Sequence, residues 1–116
     1  MMEPFKDLAA AIIERAAVDY REGQALIESQ QTKIQALKDE IKILDTMGME
    51  VIDLEEDLEV EKQKLGLYQR NANEVLRFLQ SEWFGTLCDG LNLDKHYIRE
   101  GILKSGRFAE NRLCNS

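Results

Sequence analysis

Apolar residues recur along this chain in alternating steps of three and four. Ile34, Leu37, Ile41 and Leu44 keep that step, and after a break at Met47-Gly48 it resumes at Val51, Leu54 and Leu58. It continues through Glu61, Leu65, Tyr68, Ala72, Val75 and Leu79 without a slip. Two heptad runs separated by a tight turn predict an antiparallel coiled-coil hairpin. Counting back from Ile34 places Gln30, Ile27, Gly23, Tyr20, Ala16, Ile13 and Ala9 on the same seam. One helix is therefore expected from about residue 3 to 45, on the order of 60 Å long. The chain's one proline, Pro4, sits in its first turn, where a missing N–H costs no helical bond.

The turn is expected at 46–49, with Gly48 taking the left-handed conformation that ends a helix. A second helix then covers about 50–79. If the chain reverses at Met47-Gly48, seam residues whose numbers sum to about 95 lie opposite one another. Leu44 then meets Val51, Ile41 meets Leu54, Leu37 meets Leu58, Ile34 meets Glu61 and Gln30 meets Leu65. Gln30 and Glu61 are the polar interruptions of the seam, one step apart, and such residues specify register at some cost in stability.

The period widens at Phe78. Phe78, Leu79, Trp83, Phe84, Leu87, Cys88 and Leu91 form a broad apolar face, with Ser81 placed to cap a helix and Gly90 to close it. Asn92-Leu93-Asp94 reads as a link, and a last helix follows from Lys95 to Ser105, stopped by Gly106. Trp83, Phe84 and Leu87 are expected to bury against Phe5, Leu8, Ala9 and Ile12. The fold class is thus all-α: a long antiparallel coiled-coil helical hairpin over 1–79, with a small two-helix head over 80–106 packed at its base. Residues 107–116 are expected to be a flexible tail.

Charge changes this picture in one place. Of the net −7, residues 1–80 carry all of it, with 17 acids against 10 bases, while 81–116 are balanced. Seven acids and no base lie between Glu50 and Glu61. Acids there complement the dipole of a starting helix, and Lys33, Lys38 and Lys42 on the first helix offer interhelical partners. An acidic chain is a poor prior for gripping phosphates. No apolar run approaches the ~18 residues of a membrane span. Cys88 and Cys114 are expected to be reduced thiols, which makes the cytoplasm the expected compartment.

Catalytic chemistry finds no foothold. His96 is the single histidine, and no ligand spacing joins it to Cys88, Asp89 or Asp94. There is no glycine-rich phosphate loop and no nucleophile–base pair. The carboxylates of 55–59 belong to a solvated helix rather than to a pocket suited to acid–base work. The expectation is a non-enzymatic protein without cofactor or metal.

Two surfaces are candidates for binding. The hairpin tip places Met47 and Met49 beside Asp53, Glu56 and Asp57; exposed methionines suit adaptable protein contacts, and the acids suit a basic partner. The alternative lies in Leu87–Leu103, where helix, short link and helix look like a helix-turn-helix. Lys95, Arg99, Lys104 and Arg107 would then be the DNA contacts of a dimeric regulator, although Glu100 interrupts that face. A third reading is a structural coiled-coil subunit, with the heptads pairing between chains.

Two stretches also carry a resemblance. Ala11-Ile12-Ile13-Glu14-Arg15-Ala16-Ala17-Val18-Asp19-Tyr20-Arg21 and Phe78-Leu79-Gln80-Ser81-Glu82-Trp83-Phe84-Gly85-Thr86-Leu87 resemble small uncharacterised proteins of phages and prophages of Gram-positive bacteria. Those pair an A-I-x-x-A-x-x-D-Y-R helix with a later F-x-x-S-x-W-F-x-x-L helix. The chain departs from that group by the long heptad arm between the motifs and by its ending. The resemblance implies a phage-type accessory protein, acting in the host cytoplasm, that binds and modulates or inhibits a host or phage protein. A nucleic-acid-handling or defence complex is one such target. It implies no catalytic residue.

Overall fold

The computed structural model describes residues 4–108. They form four helices, α1 (Pro4–Thr46), α2 (Ile52–Leu79), α3 (Glu82–Gly90) and α4 (Lys95–Ser105). Strands are absent among the described residues. The fold is the expected helical hairpin with a two-helix C-terminal head. The expected start at Glu3, the tail beyond Phe108 and Cys114 lie outside the described residues.

Two compact units divide the chain. One comprises residues up to Glu22 together with those from Ala72 on, and the other is Gly23–Asn71. In the second unit every predicted seam position is buried or half-buried. Gln30 and Ile34 are buried, and Ile27, Leu37, Ile41, Leu44, Val51, Leu54, Leu58, Leu65 and Tyr68 are half-buried between exposed neighbours. A two-helix arm has no third layer, so its seam residues keep one edge in water.

The reversal between α1 and α2 is a Schellman turn. Met49 N–H donates to Leu44 O at 2.9 Å and Gly48 N–H to Asp45 O at 3.0 Å. Gly48 sits at φ +75, where a Cβ would be strained. α2 begins at Ile52, two residues later than the pattern suggested.

In the seam the Gln30 amide donates to the backbone carbonyl of Glu61 at 2.9 Å and also to its carboxylate. Gln30 is 4% exposed, so both polar groups of the seam are satisfied by each other, across adjacent layers. That hydrogen bond, followed by the charge of Lys64, holds the Glu61 carboxyl below its ordinary pKa. A one-heptad slip would leave the Gln30 amide buried without this partner, which is how a polar seam residue selects register.

The other unit holds the apolar core. Ala9, Ile13 and Ala17 of α1, Leu79 of α2, Phe84, Leu87 and Cys88 of α3, Leu93, and Ile98 and Ile102 of α4 are buried together. Three alanine-sized or branched positions on α1 leave room for the short helices to approach closely. Ser81 caps α3, donating to Phe78 O at 2.6 Å and accepting from Phe84 N–H at 3.2 Å. Asp94 caps α4 by accepting from His96 N–H at 2.9 Å.

The interior of this unit differs from expectation in three ways. Trp83, Phe5 and Leu8 are 51%, 46% and 61% exposed, so Phe84 and Leu87 carry the burial without them. α3 is nine residues long, and only the face bearing 84, 87 and 88 can point inward; Trp83 lies about 100° away around the helix. Gly90 does not close α3. Asn92, at φ 59, does so, with Leu93 N–H donating to Cys88 O at 2.8 Å. Asparagine tolerates the left-handed region. Gly90 is used instead for a close approach, because a Cβ there would collide with the ring of Phe5. Phe108, expected in the tail, is half-buried against the core.

Candidate functional site

The hairpin tip is built by the Schellman turn and the first turn of α2. Met47 is 66% exposed and Met49 is 52% exposed; Asp53, Glu56 and Asp57 are exposed as well. The turn geometry explains this. Its backbone bonds close the end of the hairpin without help from the methionine side chains, which are left free for other contacts. Ile52, 55% exposed, adds a third large apolar side chain that the heptad reading did not single out. The signal was available: it is an apolar residue off the seam within two positions of the turn.

The expected interhelical ion pairs are absent. Among the described residues no ion pair joins the acids of 50–59 to Lys33, Lys38 or Lys42; the pairs present are Arg15–Asp19, Lys64–Glu61 and Lys104–Glu100. Long solvated side chains gain about 0–1 kcal/mol from such contacts and lose rotamer freedom in making them. The tip is therefore an apolar surface bordered by acids with no internal counter-ion.

The four basic residues of the helix-turn-helix alternative behave differently from one another. Arg99 is turned inward: its Nε donates to Leu79 O at 2.7 Å, and its guanidinium lies 5.6 Å from the centre of the Phe84 ring. It caps the last carbonyl of α2 with a cation at a helix C-terminus. Lys104 pairs with Glu100 at 3.3 Å. Lys95 has its side chain along Gly85 of α3. Arg107 is exposed and follows α4. An open groove beside α4 brings His96, Lys104 and Arg107 together with Asp94 and Glu100. Its charges are mixed, unlike a phosphate-tracking stripe.

No group of three His, Cys, Asp or Glu residues among those described is placed to hold a metal. His96 is exposed, with its Nδ1 3.5 Å from Arg99 Nη1.

Cys88 is a free, buried thiol, pushed up to about 11 by burial and then by the neighbouring Asp89 charge. At neutral pH it is protonated and a poor nucleophile. The unfolded thiol ionises near 9, so between about pH 9 and 11 unfolding releases a proton and stability falls as pH rises. A Cys88→Ala variant is expected to lose less stability over that window than the parent, by at most about 2–3 kcal/mol. Urea midpoints at pH 8 and pH 11 measure the difference.

No helix among the described residues is long and apolar enough to cross a membrane. Compared with known proteins, the chain matches no family model, no curated protein and no solved structure.

Proposed function

We propose that this chain is a non-enzymatic binding protein that engages another protein through the closed end of its hairpin and modulates it, as a phage-type accessory protein would. The observation that carries this reading is the tip. Met47, Met49 and Ile52 are each more than half exposed, although the same chain buries its seam and core residues consistently. Around them stand Glu50, Asp53, Glu55, Glu56 and Asp57, with no internal counter-charge. An apolar centre with a charged border is the anatomy of a protein interface, and methionine adapts its shape to a partner. The acidic border favours a basic target surface, such as one that otherwise holds nucleic acid.

The reading is tested with the full chain immobilised and exposed to bacterial host lysate. A Met47→Ser/Met49→Ser double variant serves as control, since both positions are solvent-facing and the substitutions leave the seam untouched. Capture of a defined protein by the parent, reduced at least about tenfold in the variant, supports the role. Capture that ignores the substitutions moves the site elsewhere. A retardation of bulk DNA at low salt, abolished by Arg107→Glu, would replace this reading with the DNA-binding one.

A further inference from the structure

The buried seam sets the heptad register, with position a at Ile27, Ile34 and Ile41 on α1 and at Val51, Leu58 and Leu65 on α2. In an antiparallel pair the c and g positions of both helices share one lateral face, and the b and e positions share the other. The two faces of unit Gly23–Asn71 differ sharply. The c/g face carries Leu26, Ala36, Ile43, Val60 and Leu67, and its four large side chains are 48%, 60%, 50% and 50% exposed in that order. The b/e face has one large apolar residue, Ile52, among Gln31, Gln35, Lys38, Glu55 and similar residues.

The charges on the c/g face reverse sign along each helix. On α1 Lys33 precedes Glu40, and on α2 Asp57 precedes Lys64. We propose that this face is where a second copy of the chain docks, antiparallel, about a two-fold axis crossing near Ala36 and Val60. Under that axis each helix meets its own copy running the other way. Lys33 of one copy then meets Glu40 of the other, and Lys64 meets Asp57. Leu26 packs on Ile43, Val60 on Val60, and the small Ala36 on itself.

Two features make this more than a free choice of pairing. The centre found from the charges of α1 lies at 36 and that from α2 near 60, and these sum to about 95, the layer rule of the hairpin itself. Both helices thus ask for one axis. The parallel alternative, with the tips together, stacks Glu40, Asp53 and Asp57 against their own copies, which like-charge repulsion disfavours. The exposed Lys64–Glu61 contact, 3.5 Å long, is weak enough to be exchanged. The face from Leu26 to Ile43 spans about 25 Å by two helix widths, which buries on the order of 1,000 Å² in total, the low end for specific association. The dimer is accordingly a micromolar one.

Sedimentation equilibrium of the full chain tests it. The parent is expected to pass from monomer to dimer between about 1 and 200 µM. Val60→Lys, an exposed position that leaves helicity unchanged, is expected to weaken association at least about tenfold by setting two lysines face to face. Lys33→Glu weakens it too, and the swap Lys33→Glu/Glu40→Lys restores it. In a Cys114→Ser background, Val60→Cys closes a disulfide dimer on oxidation, whereas Asp53→Cys, about 20 Å from its copy, does not. A chain that stays monomeric across the range overturns the proposal. So does a dimer indifferent to Val60→Lys, or one that cross-links through position 53 instead of 60.

Discussion

Phe84→Ala is expected to destabilise the core unit by about 3–5 kcal/mol, the cost of a large cavity in a site that cannot collapse. Phe84 has no exposed surface. Its ring meets Phe78 edge to face at a centroid distance of 5.7 Å and lies beneath the Arg99 guanidinium. Removing it empties the middle of the core and strands the cation that closes α2. A unit with a core of about ten buried side chains has a total stability of only about 5–15 kcal/mol, so the loss is a large part of the whole. Chemical denaturation followed by Trp83 fluorescence measures it. Phe84→Leu, which refills most of the volume, is expected to recover more than half. A loss below about 1 kcal/mol for the alanine would mean that the head is not held by this core.

The second large effect is expected at Gly106. It ends α4 at φ +66, with its N–H donating to Ile102 O at 2.7 Å. Its carbonyl accepts from Arg21 Nη1 at 3.0 Å. A Cβ at this position would stand 2.6 Å from Arg21 Cβ and 3.3 Å from Arg21 Cα, so the obstruction includes backbone and cannot swing aside. Gly106→Ala therefore combines left-handed strain of about 1–2 kcal/mol with an overpacking cost of about 1–3 kcal/mol. The expected loss is about 2–4 kcal/mol. Arg21→Ala separates the two contributions. It removes one hydrogen bond, a loss of about 1–2 kcal/mol, but clears only the side-chain part of the clash. Gly106→Ala in that background is expected to cost less than in the parent. Equal losses in both backgrounds would assign the whole effect to backbone strain. Thermal unfolding of the four proteins in this cycle provides the comparison.

Much of the arm could be read directly from residue order. A coiled-coil seam depends on local spacing, so the positions from Ile27 to Tyr68 were visible as a period, and the structure buries each of them at least in part. The reversal at Gly48 and the caps at Ser81, Asp94 and Gly106 were visible for the same reason: each depends on the chemistry of a few adjacent residues. The head was legible only in outline. Its apolar face is wider than its core, and no local rule says which of Trp83, Phe84 and Leu87 turns inward. Nor could spacing show that Gly90 serves the Phe5 ring while Asn92 takes the left-handed position.

The same division holds for the candidate site. Met47, Met49, Asp53, Glu56 and Asp57 were legible because a turn at the end of a two-helix arm must expose its side chains. The fate of the basic residues was not. Arg99 looks like any surface arginine in the sequence, and only the packing of α4 on α2 and α3 brings it to Leu79 O and the Phe84 ring.

What the residue order determined by itself, then, is periodicity and punctuation: helices, seam, turn and caps, all consequences of interactions within about seven residues. Tertiary structure alone decided which apolar residues of the head are core and which are surface. It also decided which cations are spent on carbonyls and which glycine makes room for a ring. Those outcomes depend on volumes and donors contributed by segments dozens of residues apart. They are settled by close packing and hydrogen-bond satisfaction, which have no signature in local spacing.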